Sequence, residues 1–299
     1  MEKVIDVKGV SKVFKNKKAV DDVSFSIEKG TVTAILGPNG AGKTTTISML
    51  LGLLDPSEGE MKIFGKKPKD SYVRNRMGAI LQEVSVIDRV TVGETIDLFR
   101  SYYSHPFSKK KLLEMANLAS EEKVMAEKLS GGQKRRLGFA LALAGNPDLL
   151  FLDEPTVGMD ISSRKRFWES IRELAGTGKT IILTTHYLEE ADQLADRIIL
   201  VADGKIIADG APSDMKSSFT KKAVSFRTHG MLALGEFSAL PYVTEVAAEG
   251  DVISISTTDS DAVLHYIFDK KLPVYDVFVE RGGLEEAFEK LVQRKGEAV

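Results

Sequence analysis

Short apolar runs rich in Val and Ile alternate with longer stretches of helical periodicity. This is the pattern of an α/β domain with a largely parallel, buried sheet. Residues 31–36 (Thr-Val-Thr-Ala-Ile-Leu) predict a strand and 43–53 the helix after it. The runs at 149–152 and 180–184 predict two further buried strands. Residues 4–10 and 23–27 alternate apolar and polar positions, predicting antiparallel strands with one covered face. From 92 to 143 the periodicity is helical with no strand candidate, which predicts an inserted helical subdomain over about 84–143.

A polar connector rich in Ser and Lys is expected over 212–222. Beyond it the pattern reads strand (223–227), helix (232–240), strand (243–247), strand (252–256), helix (259–268), strand (274–279) and helix (284–292). The first six elements follow the β-α-β-β-α-β order of a ferredoxin-like unit. The expected organisation is therefore an α/β domain over 1–220 and a small α+β accessory domain over 221–299.

Composition narrows the class. The 299 residues are 43% hydrophobic and 28% charged, ample for a buried core, and the net charge is −2. No basic excess marks a nucleic-acid partner. The clusters Lys15, Lys17, Lys18 and Lys109, Lys110, Lys111 read as solvated turns and helix faces. With no cysteine, disulfides, thiol catalysis and thiolate metal sites are excluded. The N-terminus carries no basic segment followed by an apolar stretch, so no secretory signal is expected. No segment approaches the run of about 20 apolar residues that spans a bilayer. A cytoplasmic protein is expected, one that reaches a membrane only through a partner.

Gly37-Pro38-Asn39-Gly40-Ala41-Gly42-Lys43-Thr44 lies between a predicted strand and a predicted helix, the context of a phosphate-binding loop. Glycines let the backbone N–H groups turn inward toward phosphate oxygens, and the helix start adds its positive dipole end. Lys43 then reaches the β- and γ-phosphates, the Thr44 hydroxyl ligates Mg²⁺, and Thr45 lines the same helix start. This chemistry points to a nucleoside triphosphate. At the end of the run 150–152, Asp153 is delivered to the Mg²⁺ shell. Glu154 is placed to orient and deprotonate a water attacking the γ-phosphate.

Leu129-Ser130-Gly131-Gly132-Gln133 puts a hydroxyl and two glycines ahead of a second helix, another anion-ready N-terminus. With this pentapeptide the sequence resembles the nucleotide-binding subunits of the ABC transporter family. The resemblance covers residues 4 to about 210. It implies an ABC ATPase fold with an antiparallel β subdomain and a helical subdomain. It also implies a head-to-tail dimer in which each ATP lies between the phosphate loop of one cassette and Ser130, Gly131, Gly132 and Gln133 of the other. By the same resemblance Gln82 senses Mg²⁺ and the attacking water, and His186 contacts the γ-phosphate. Phe14 stacks on adenine or is a buried strand residue, and Asp160 belongs to the loop crossing the dimer interface.

The C-terminal segment resembles an extension found in antibiotic-resistance and sodium-export subunits. The implied function is ATP hydrolysis that powers export of a drug, antibiotic or ion through separate permease subunits. The alternative is a soluble ABC ATPase serving repair, chromosomes or translation. No sustained heptads separate the phosphate loop from the pentapeptide, as a chromosome or repair protein would require.

Overall fold

The computed structural model describes residues 2–81, 85–185, 187–219, 222–228, 232, 234–281, 284 and 288. The chain divides into two compact units, Met1–Ala211 and Pro212–Val299. In the first, β1 (Lys3–Phe14) and β2 (Lys17–Glu28) form an antiparallel pair, and β3 (Val32–Leu36) runs through a tight loop into α1 (Lys43–Leu50). Next come β4 (Glu58–Ile63), the short α2 (Ser71–Arg74) and β5 (Met77–Ile80). Helices α3 (Val92–Arg100), α4 (Lys109–Met115) and α5 (Gly131–Leu143) follow with two 3-10 turns between the last two. The unit finishes with β6 (Leu149–Asp153), α6 (Ile161–Gly176), β7 (Thr180–Thr184), α7 (Leu188–Leu194), β8 (Arg197–Ala202) and β9 (Lys205–Gly210).

Every residue of β3, β6 and β7 is buried, which is why these strands read as continuous apolar runs rather than alternating ones. They lie inside a six-stranded sheet of order β5-β6-β7-β3-β8-β9, parallel except for β9. The second sheet, β2-β1-β4, is antiparallel. Its Ile5, Val7, Val10 and Ile27 share one core with Ile47 and Leu50 of α1 and with Phe151 and Ile182 of the parallel sheet. Helix α1 is thus held by burial on both sides, which its Thr-rich opening needs, since β-branched residues are poor helix formers.

That helix is shorter than its apolar pattern predicts. Gly52 N–H donates to Met49 O and Leu53 N–H to Ser48 O, the paired bonds of a Schellman stop. The apolar residues continue through Leu54 while the helix does not. Helix α3 begins at a capping box between Thr91 and Glu94. Lys109, expected on a solvated face, bridges Asp97 and Glu122 instead and ties α4 to α3.

In the second unit the expected connector is helical. Helix α8 (Pro212–Phe219) opens on a proline, whose fixed φ and missing N–H suit the first turn. Then come β10 (Lys222–Thr228), α9 (Leu234–Ser238), β11 (Val243–Glu249), β12 (Val252–Thr257), α10 (Ser260–Asp269) and β13 (Val274–Arg281). The sheet is antiparallel throughout, in the order β11-β12-β10-β13. Val224 faces Ile255 and Phe226 faces Ile253 across β10 and β12. These four join Phe237, Val263 and Ile267 in a core separate from that of the first unit. The helix expected over 284–292 lies almost wholly outside the described residues. Among the described residues no helix is long and apolar enough to cross a membrane.

Candidate active site

The register of the parallel sheet assembles the site. Thr184 pairs with Ile35 on one side and with Asp153 on the other. The carboxyl ends of β3, β6 and β7 therefore emerge together, and ligands of open α/β sheets bind at that edge. The expected phosphate loop leaves from β3, and the expected acidic pair leaves from β6.

In the loop, Gly37 and Ala41 are buried while Pro38, Asn39 and Gly40 are exposed. Gly42 has φ of 100°, and a Cβ there would lie 2.4 Å from Ala19 O, so only glycine fits. The turn between β8 and β9 props this contact: Gly204 N–H donates to Ala41 O (3.1 Å) and Asp21 N–H to Gly204 O (2.9 Å). The Lys43 ammonium donates to Gly37 O at 2.7 Å and to Pro38 O at 3.1 Å, folding back across the loop. Burial pushes its pKa below the ordinary lysine value, and the charges of Glu154 and Asp153 oppose that shift. Thr44 is exposed and Thr45 half-buried at the start of α1, where N–H groups lack intrahelical partners.

Asp153 is 2% exposed and accepts a hydrogen bond from the Thr184 hydroxyl. Glu154 follows with φ of 47°, in the left-handed region. Its N–H donates to Thr184 O and Thr184 Oγ1, both at 3.1 Å. The Arg135 guanidinium, 7% exposed, donates to the main-chain carbonyls of Asp153 (3.3 Å) and Glu154. Burial lowers the pKa of Arg135 while Asp153 and Glu154 oppose the shift.

Ser130 caps α5 in a capping box with Gln133. Ser130 N–H donates to Gln133 Oε1 (2.9 Å), and Gln133 N–H donates to Ser130 Oγ (3.3 Å). Gly131 is open to solvent, with no atom where a Cβ would point, while Gly132 lies against the Gly158 carbonyl. The expected pentapeptide is thus a rigid, partly exposed helix start.

Asp160 caps α6. It accepts from Ser162 Oγ (2.6 Å), Ser163 N–H (2.8 Å) and Ser163 Oγ (2.7 Å). Those bonds hold its carboxyl far below the ordinary aspartate value. A depressed pKa contributes stability above the unfolded-state value, and that contribution is lost as pH falls through the folded one. Asp160→Ala is therefore expected to lower the thermal midpoint at pH 7, with the deficit shrinking below about pH 4. Asp160→Asn should recover part of the Ala deficit at pH 7, because Asn caps the helix but lacks the charge. Circular dichroism melts at both pH values check this, and a pH-independent deficit would refute it.

Phe14 is 45% exposed at the end of β1, with the Lys12 ammonium 5.3 Å from its ring centre, so it is not a buried strand residue. The hairpin carrying it is the one whose Ala19 touches Gly42. Gln82 and His186 lie outside the described residues. The sequence reading missed Thr184, Arg135 and Glu190. Glu190 is fully buried in α7 and accepts from Trp168 Nε1 at 3.1 Å. Burial raises its pKa against hydrogen bonds from Thr185, Trp168 and Thr156. Nothing local marks it, since Glu189-Glu190 reads as a solvated helix start.

A family model described as ABC transporter matches residues 20–157. The chain is 35% identical over 298 residues to the daunorubicin resistance ATP-binding protein DrrA3 of Streptomyces coeruleorubidus, covering 95% of this chain and 94% of that protein. It is 42% identical over 216 residues to the Nod factor export ATP-binding protein I of Burkholderia lata, covering 70% and 71%. Among solved structures, the dimeric ATP-binding cassette MJ0796, in a post-hydrolysis state bound to ADP and Pi, matches with a TM-score of 0.64. That match has 28% identity and covers 69% of this chain and 98% of that one.

Proposed function

Because the chain belongs to the ATP-binding proteins of the ABC transporter family, we propose that it powers export of a drug or antibiotic. It binds and hydrolyses ATP, and two copies enclose the nucleotides between them. The observation that carries this reading is the pair of helix starts on one chain, at Lys43 and at Gly131. One triphosphate uses the first as its own cradle and receives the second from the other copy.

In that site Lys43 exchanges its carbonyl partners for the β- and γ-phosphate oxygens, and Thr45 and the loop N–H groups of 37–42 surround the same phosphates. Glu154 accepts a proton from the attacking water, so that ATP and water give ADP, inorganic phosphate and a proton. Ser130, Gly131, Gly132 and Gln133 close over the other copy's γ-phosphate, and Asp160 holds the adjoining interface loop in shape. Phe14, exposed on its hairpin, stacks on adenine. Gln82 senses the attacking water, and His186 contacts the γ-phosphate. The Asp153 carboxylate and Thr44 hydroxyl form an oxygen-only donor set suited to Mg²⁺, which with Gln82 they would hold. The ion supplies charge neutralisation on the phosphates.

The membrane path belongs to separate permease subunits, and the protein sits at the cytoplasmic face through them. Ile87, Leu98, Tyr102 and Met125, exposed in the helical part, support docking there. We read 221–299 as the accessory domain. Its element and strand order support a ferredoxin-like assignment.

The test uses the purified full chain. Light scattering should show a doubling of mass on adding ATP and reversal after hydrolysis. Affinity purification from membranes should bring down an integral-membrane protein. A monomer at saturating ATP, or recovery with ribosomes or DNA instead, would sink the proposal.

A further inference from the structure

Arg135 belongs to a run of three bases, Lys134-Arg135-Arg136, and is the one of the three that is buried. It stands early in α5, the helix that Ser130 caps. Its guanidinium reaches the end of β6. One nitrogen donates to the main-chain carbonyls of Asp153 and Glu154. The helix that begins at the pentapeptide is thereby fastened to the main chain at the end of β6.

Glu154 has reason to need that fastening. It leaves the strand in a left-handed conformation that a residue with a side chain resists. Its N–H is fixed by Thr184 O and Oγ1, and its C=O accepts from the Arg135 guanidinium and, at 3.4 Å, from Val157 N–H. With both adjoining peptide groups tied, the direction in which the Glu154 side chain leaves the backbone is set from two sides. Losing the charged donor leaves the carbonyl side held less tightly, with the long Val157 N–H bond still in place, and a small angular error in a general base is costly to rate.

We infer that Arg135 is a positioning residue coupling the two ATP sites of the dimer, because it joins the helix that closes on the other copy's nucleotide to the Glu154 acting on its own. This rests on the composite site proposed above. Nucleotide seated against Ser130 and Gly131 of a chain steadies α5. Through the guanidinium it steadies Glu154 of that same chain, which serves the opposite nucleotide. Hydrolysis in one site then depends on occupancy of the other.

The experiment compares the parent full-length chain with Arg135→Met and Arg135→Lys, measuring ATP affinity, kcat, KM, the Hill coefficient for ATP and the thermal midpoint. Arg135→Met removes the charge and both bonds while keeping an unbranched stem. Lysine can restore them, since a single nitrogen makes both. The parent should hydrolyse ATP with a Hill coefficient above 1. Arg135→Met should lower kcat by about tenfold or more with ATP affinity held within about threefold, and its Hill coefficient should fall to about 1. Arg135→Lys should recover most of both. In a Glu154→Gln background, Arg135→Met should leave ATP-dependent dimerisation intact.

A parent coefficient of 1 overturns the inference, as does Arg135→Met with the parent's kcat and coefficient, or with a lowered kcat and an unchanged coefficient. So does loss of the dimer in the double variant, or a failure of Arg135→Lys to improve on Arg135→Met. If Arg135→Met does not fold, Arg135→Leu, which also lacks a donor, takes its place under the same criteria. Should Glu154→Gln alone give no ATP-dependent dimer, the composite site falls. If it dimerises while the Hill coefficient ignores Arg135, only the coupling falls.

Discussion

Glu154→Gln is expected to cut steady-state ATP turnover by about 10³-fold, within the range that a positioned general base contributes. ATP affinity should stay close to the parent value. The two results separate because of where the residue sits. Its main chain is tied to Thr184 and Arg135, and glutamine keeps the side chain's length while losing the basic oxygen. The expected phosphate loop is held by α1, β2 and the turn after β8, while Glu154 acts on Lys43 through its charge. ATP should therefore bind, bring two chains together and stay unhydrolysed, so the proposed ATP-bound dimer should accumulate. Single-turnover assays and light scattering on the same sample read both effects. Turnover within a few fold of the parent would remove Glu154 from the chemistry. Loss of ATP binding would mean that its charge serves the cradle rather than the water.

What the sequence made legible was the set of segments that carry their own local chemistry. The loop 37–44, the pentapeptide 129–133 and the acidic end of β6 each declare themselves through residue type and flanking pattern, and each sits where that pattern places it. The strands β3, β6 and β7 were legible because burial on both faces leaves a near-continuous apolar run. Other features depend on partners distant in sequence. The stop of α1 at Leu50 is hidden because apolar residues continue to Leu54 and only the Schellman bonds end the helix. The turn at Gly204 matters because it wedges between Ala41 and Asp21, more than 160 residues earlier. Arg135 lies among other bases, and only the packing of α5 against the end of β6 makes it a buried donor. A charge run is ordinarily a solvated face, and here one member of the run is not. The connector at 212–222 misled for a related reason: Ser and Lys lower apolar periodicity without preventing a proline-started helix.

Lys43→Ala is expected to weaken ATP binding by about 100-fold or more, which at tenfold per 1.4 kcal/mol is about 3 kcal/mol or more, the scale of lost charge-assisted hydrogen bonds to phosphate. The unliganded protein should be far less affected. In this structure the ammonium is buried against Gly37 O and Pro38 O, and burial already disfavours its charge. Removing it forfeits two hydrogen bonds but also relieves a desolvated cation, two opposing contributions of about 1–3 kcal/mol each. The free protein should therefore melt within a few degrees of the parent, in either direction. The parent's midpoint should climb with ATP concentration by mass action, and the variant's should stay flat over the same range. That combination distinguishes a residue kept for its ligand from one kept for the fold. A variant melting far below the parent without ATP would make Lys43 a structural cation. A variant whose midpoint still rose normally with ATP would show that the loop's N–H groups and the α1 dipole hold the phosphates unaided.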